Sequence, residues 1–339
     1  MCLMGILHIF VNKSGFSIVG EGVFLSSTLI TAISPIIFTL ALGFISGWRK
    51  QFDKHASQTF ISFVMSYALP LSLFGGLLAT SRQVILHDIP LFLWLGLGMI
   101  ATFIILIIIY QLCFHNLSLA VLRALSVACP SVPFMGTSVL AIIFSSTDSV
   151  ILVAICGLYL NLIQVPLSVL LLSAAQKDTA STLSSMQQAG KRLVSALKKP
   201  LVWAPILAFI LNLSGFQLNE KWLPLFSELG QAAGGVALFS IGIMLYVQHF
   251  RLSKAVLFNV GLKNLGLPLV IWGLMMLAGT GHTFQQLVVI TLSIPTAAMP
   301  SMLAIQNRVH EDEMASTQLV STLLSVVTMG AFMFLLQVG

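Results

Sequence analysis

Charge is what this sequence has least of. Of its 339 residues only 8% are Asp, Glu, Lys or Arg, against roughly 25% in an ordinary soluble domain. Ten acidic and sixteen basic residues stand beside 58% apolar residues and a mean hydropathy of +1.01. One water-soluble core of this length could not hide so much apolar surface, so lipid is the solvent for most of the chain. Cysteine is also scarce: Cys2, Cys113, Cys129 and Cys156 show no CxxC or Cys/His spacing, which speaks against a zinc site or a disulfide framework. GxSxG, Walker and HExxH patterns are missing, so neither an enzyme nor a nucleotide-driven pump is expected, and no cofactor is implied. The net charge of +6 comes from basic residues spread thinly between apolar blocks, without the stripe or tail that nucleic acid requires of a partner.

What is present is a series of ten apolar blocks, at roughly 27–47, 57–79, 89–113, 120–144, 149–173, 200–216, 226–248, 255–278, 284–305 and 316–338. About 20 helical residues cross a ~30 Å hydrocarbon layer, and only the sixth block is short by that measure. Loops after odd-numbered blocks hold twelve basic residues, from Arg49 and Lys50 through Arg123 to Arg251, Lys254 and Arg308, against Lys13, Arg82 and Lys221 on the other side. By the positive-inside rule both termini lie outside and the polar stretch 174–199 is a cytoplasmic linker, in a multi-pass protein of the inner (plasma) membrane. The expected organisation is a weakly structured lead over 1–26, which lacks the order of a signal peptide, then a first five-helix repeat over 27–173, the linker, and a second five-helix repeat over 200–339.

The halves match at a nearly constant offset. Ser34-Pro35-Ile36-Ile37 answers to Ala204-Pro205-Ile206-Leu207, Leu71 to Gly75 answers to Leu238 to Gly242, and Pro130 in the fourth block answers to Pro295 in the ninth. Five spans is an odd number, so the repeats must be inverted in the membrane. The expected fold is therefore an all-α integral membrane protein of ten transmembrane helices in two inverted repeats, with broken, crossing helices four and nine. Inverted repeats with matched broken helices point to a secondary transporter whose site lies where those helices meet.

Residues 26–338 also carry a family resemblance. Ser34-Pro35 to Gly43, Tyr67-Ala68-Leu69-Pro70, Cys129 to Gly136, Lys199 to Pro205, Lys263 to Pro268 and Ile294 to Pro300, in this order, resemble the auxin efflux carrier family, particularly its bacterial branch, which includes malonate transporters. The resemblance implies a scaffold of spans one, two, six and seven, a mobile unit of spans three to five and eight to ten, substrate at the crossing of spans four and nine, and an elevator-like shift. Ser131 stands where the plant carriers have Asn, and Pro133 is unusual there, so a small organic anion such as malonate is expected rather than auxin.

The site expected from the residues centres on the two breaks. Pro130, Pro133, Pro295 and Pro300 each remove an amide donor and should open their helices near mid-membrane. The exposed half-helix poles suit a carboxylate at the amino end and a cation at unwound carbonyls. Ser131 and Thr296 supply hydroxyls, and Gly136 shapes the first break. Asn161 and Gln164, three apart in the fifth block, either line the cavity or glue two spans together. Lys263, the one basic residue well inside a block, either adds positive charge to an anion path or snorkels back to the cytoplasmic interface. No carboxylate falls in mid-block, Glu311, Asp312 and Glu313 being expected in a cytoplasmic loop, which weakens the case for a dedicated ion exchanger and leaves sodium or a proton open as coupling ion. Gly75, Gly76, Gly234, Gly235 and Gly242 mark close helix packing and permit a homodimer. The rival readings are a sodium-coupled symporter of the bile-acid type or an ion antiporter, and a membrane sensor or scaffold that moves nothing.

Overall fold

A computed structural model describes residues 34–79, 89–132, 136, 139–140, 143–175, 194, 197–216, 220–247 and 252–338. The lead at 1–26, most of the linker and Pro133 lie outside the described residues. The described chain is all helical. Six helices are long and apolar enough to cross a membrane: α2 (Lys54–Leu78), α3 (Ile89–Phe114), α5 (Asp148–Ala175), α7 (Pro224–Val247), α8 (Lys254–Leu277) and α11 (Glu311–Leu335). Three more apolar helices are shorter: α1 (Ser34–Trp48), α4 (Leu117–Ala128) and α6 (Pro200–Asn212). The ninth block is divided into α9 (His282–Ser293) and α10 (Met299–Asn307).

Polar residues set the helix starts. Asp53 accepts the Ala56 amide at 2.8 Å, Asn116 accepts that of Leu119 at 3.1 Å, and Ser253 accepts that of Val256 at 3.2 Å, each closing the first turn of a helix that then runs apolar. Four of the long helices contain a π-helical turn, at Val64–Ala68, Leu97–Ala101, Tyr159–Gln164 and Leu262–Gly266. Such widened turns re-aim the side chains that follow them and cluster at functional sites.

Two packed groups make up the described body. In the first, α2 packs on α6 and α7, and α1 crosses α7 at paired glycines. A Cβ on Gly43 would overlap the Phe239 carbonyl, and one on Gly242 would overlap the Leu40 carbonyl, so backbone meets backbone at that crossing. In the second group α4 packs on α3 and α5, while α11 packs on α8, α9 and α10. The groups meet where α7 lies against α11, where α2 and α7 lie against α10 and where α5 lies against α6. The outer face of α3, with Ile104, Ile105, Ile108 and Leu112 exposed, is left for lipid.

The structure corrects the sequence expectation at one end. Arg123 is not a loop residue: it sits inside α4, its guanidinium gripping the Glu313 carboxylate through Nε at 2.6 Å and Nη2 at 3.1 Å and lying 4.7 Å from the centre of the Phe114 ring. Glu311, Asp312 and Glu313 likewise form the first turn of α11 rather than a loop, where the helix dipole favours acids. Lys54 of α2 reaches Glu311 at 2.6 Å, joining the two packed groups at this end.

A Gly43→Ala substitution should therefore lower the thermal unfolding midpoint in detergent, at a cost of about 1–3 kcal/mol for forced overpacking. Gly273→Ala in α8, where a Cβ meets nothing within 4 Å, should hold or raise it, by up to ~1 kcal/mol from helix propensity. Equal effects would contradict the close crossing.

Candidate functional site

The two breaks cross. α4 stops at Ala128 because Pro130 has no amide to continue the ladder, and Cys129 turns extended at φ −112°, ψ 97°. α9 stops at Ser293 ahead of Pro295, with Ile294 at φ −55°, ψ 134°. The extended residues pair as a short antiparallel bridge centred on Pro130 and Thr296. The Ser131 amide donates to the Pro295 carbonyl at 2.8 Å, and the Ala297 amide donates to the Cys129 carbonyl at 2.9 Å. Each break thus gives one backbone hydrogen bond to the other. Gly136 makes the approach feasible: a Cβ there would lie 3.0 Å from Cδ1 of Ile294 in the opposite break.

Among the carbonyls that lose their helical amides, one near the end of each first half-helix has a side-chain donor. In a continuous helix the Val132 amide would serve the Ala128 carbonyl. Here Val132 bonds instead to the Pro130 carbonyl at 2.8 Å, and Gln164 Nε2 takes the Ala128 carbonyl at 3.0 Å while also donating to Met99 at 3.1 Å. In the second break the Thr296 amide would serve Leu292. It donates to Ser321 Oγ at 3.1 Å, and Lys263 Nζ takes the Leu292 carbonyl at 3.0 Å. Ser321 is fixed in turn by donating to Asn264 Oδ1 at 2.6 Å, and Asn264 Nδ2 donates to the Ser321 carbonyl at 2.9 Å.

Several expectations are revised by this geometry. Lys263 is wholly buried, so it neither snorkels to an interface nor faces a path; its amine closes the end of α9. Pro300 does not open a helix. It occupies the first turn of α10, where a missing amide costs nothing. Asn161 and Gln164 part company because both lie in the π-helical turn Tyr159–Gln164, whose wider pitch carries positions three apart onto different faces. Gln164 is the interhelical glue, whereas Asn161 lines a cavity. Ser131, Thr296 and Pro295 are brought together at the crossing, and Pro133 lies outside the described residues.

That cavity, of about 270 Å³, lies beside the crossing where the two packed groups meet. α2 contributes Leu69, Ser72 and Leu73, α5 contributes Leu160 and Asn161, α7 contributes Gly230 and Ala233, and Ala297, Met299 and Met302 bring the start of α10 to the wall. The Asn161 Oδ1 atom is buried and makes no hydrogen bond, as does Thr296 Oγ1 in the break itself. Sequence reasoning missed Ser72, Asn264 and Ser321. Asn264 had a signal as a second polar residue beside Lys263 in mid-block, and Ser321 lies on the polar stripe Gln318, Ser321, Thr322 and Ser325 of α11.

A protein-family model described as "Membrane transport protein" matches residues 28–333. Among curated proteins the chain is similar to "Uncharacterized transporter YfdV" of Escherichia coli strain K12 and of Escherichia coli O157:H7, and to that of Shigella flexneri. In each case it is 30% identical over 296 residues, covering 87% of this chain and 93% of the relative.

Gln164→Met and Ser321→Ala each orphan a buried backbone group at one break. Each should cost about 1–3 kcal/mol, read as a lower unfolding midpoint of the purified protein. An unchanged midpoint in both would show that the breaks are held by other contacts.

Proposed function

The chain belongs to the Membrane transport protein family, and on that premise we propose that it is a secondary transporter of a small organic anion, malonate or a similar short carboxylate, working by elevator-like alternating access. It is a membrane transporter and not an enzyme, so its chemistry is binding and translocation.

The observation that carries the substrate reading is the cavity beside the crossing. Among the described residues its walls are apolar apart from Ser72, Asn161 and the start of α10, and no Lys or Arg is among them. An anion entering there meets the amino end of the half-helix α10, which bears about half a positive charge, beside the Ser72 hydroxyl and the Asn161 carboxamide, whose N–H groups can donate. Neutral donors of this kind hold a carboxylate without the cost of a fixed cation facing lipid. A volume of about 270 Å³ suits a short acid. Because the cavity wall is shared between the α2–α7 group and the group containing α5 and α10, a sliding of one against the other would carry the bound solute with it.

Two offsets support ten spans in two inverted repeats, 27–173 and 200–339. The π-helical turns Leu97–Ala101 and Leu262–Gly266 lie 165 residues apart, the same offset that separates Pro130 from Pro295. The two hydrogen bonds of the crossing also exchange under an offset of 166 residues, Ser131 to Ala297 and Cys129 to Pro295. In this reading the end bearing Lys54, Arg123 and Arg308 faces the cytoplasm, both termini lie outside, and the protein sits in the plasma membrane.

The test is counterflow in proteoliposomes loaded with unlabelled malonate and supplied with trace labelled malonate outside. Wild type should accumulate label, and Asn161→Leu should lose most of it while keeping its unfolding midpoint. Absence of accumulation by folded wild type would set malonate aside in favour of other carboxylates, and silence across a panel of carboxylates would remove the transport reading of the cavity.

A further inference from the structure

We infer that Lys263 is the resident cation of the second break: its side chain fills the position, at the carboxyl end of α9, where a carrier with a coupling cation would hold that ion. Half-helix carboxyl ends and unwound carbonyls are the natural sites for a small monovalent cation inside a membrane, because the helix dipole is negative there and the carbonyls have lost their amides. α9 ends in this way. The Leu292 carbonyl loses the Thr296 amide to Ser321 and accepts instead from Lys263 Nζ at 3.0 Å. The neighbouring Ser293 hydroxyl does not compete, since it donates to the Ile290 carbonyl at 2.8 Å.

The surroundings fit a positioned cation better than a substrate contact or a surface charge. Lys263 is 0% exposed, and it does not line the cavity beside the crossing. Among the described residues the titratable groups with which it interacts are the thiols of Cys129 and Cys156, and no carboxylate is among them. The partner of its charge is therefore the end of α9 itself. The first break provides an internal comparison. Its orphan carbonyl, Ala128, is served by the neutral carboxamide of Gln164. At the offset of 165 residues the counterpart of Lys263 is Gly98, whose missing side chain admits Leu292: a Cβ there would lie 2.5 Å from Leu292 Cδ1. A tethered cation is thus built into one break only, and Lys263 is a positioning residue that acts through α9 without touching solute.

The inference rests on the transport reading only for what the cation replaces, so its test needs no substrate. Purified wild type and Lys263→Ala are unfolded thermally in detergent, in choline chloride, sodium chloride, propylammonium chloride, or choline chloride with propanol. Wild type should unfold at the same midpoint in all four. Lys263→Ala should unfold several degrees lower in choline, and propylammonium, which restores charge and stem together, should recover most of the loss while propanol does not. Equal recovery by propanol would mean that Lys263 only fills space; no recovery by either, or a rise of the wild-type midpoint specific to sodium, would overturn the assignment. If Lys263→Ala yields no folded protein, Lys263→Met keeps the stem and deletes the charge. A lowered midpoint of Lys263→Met raised again by sodium supports the inference, and a Lys263→Met midpoint equal to that of wild type and indifferent to cations contradicts it. Malonate counterflow run alongside separates the two readings, because cation rescue without any solute movement would count against transport and leave the resident cation intact.

Discussion

A helix cut in mid-membrane has no water to receive its freed amides and carbonyls, and each group left unpaired in hydrocarbon costs several kcal/mol by transfer estimates. This constraint governs the centre of the molecule. Pro130 and Pro295 make the cuts, and the two cut segments answer each other with a pair of backbone hydrogen bonds between Ser131 and Pro295 and between Ala297 and Cys129. Three backbone groups that the crossing does not satisfy are taken up from other helices, by Gln164 of α5, Lys263 of α8 and Ser321 of α11. Buried polar side chains inside these apolar spans are therefore backbone partners first. Of the buried polar side chains left with spare capacity, Asn161 is the one that lines the cavity.

The same bonds divide the molecule mechanically. α3, α4, α5, α8, α9, α10 and α11 are tied to one another through the crossing and its side-chain partners, whereas α1, α2, α6 and α7 are held by close backbone contact, as at Gly43 and Gly242. Between the groups lie apolar contacts, the cavity, the Lys54–Glu311 ion pair, and two longer hydrogen bonds, Gln58 to Glu311 and Lys199 to Ser173, both at 3.4 Å. The Lys54 end of that pair is exposed and the Glu311 end is buried, so a sliding of the groups would have to give the Glu311 carboxylate another partner. The proposed alternating access would be a sliding of these two groups against each other across the cavity.

Much of this was legible in the sequence, and the limits have physical causes. Helix positions follow from apolar length, and the blocks at 89–113, 149–173 and 255–278 lie within a few residues of α3, α5 and α8. The breaks follow from Pro130 and Pro295, because proline removes a donor wherever it stands in a helix. Pro300 was misread because one missing amide breaks a helix in its interior and suits it in its first turn, and only the position of the preceding break decides which applies. The π-helical turns leave no mark in residue type, so the divergence of Asn161 from Gln164 could not be foreseen from their spacing. Lys263 was weighed as a path residue or a snorkelling one because sequence shows depth but not direction. Arg123 and Glu313, 190 residues apart, were assigned to loops because the charge on each was visible and the partner was not.

The claim on which the rest depends is that the cavity beside the crossing opens alternately to the two sides of the membrane. The direct measurement is the labelling of Asn161→Cys, in a protein whose four native cysteines are replaced, by a membrane-impermeant thiol reagent added to one side or the other of sealed vesicles. The account predicts labelling from both sides, slowed by the transported carboxylate. Labelling from one side alone, or from neither, or at a rate that no carboxylate alters, would contradict it.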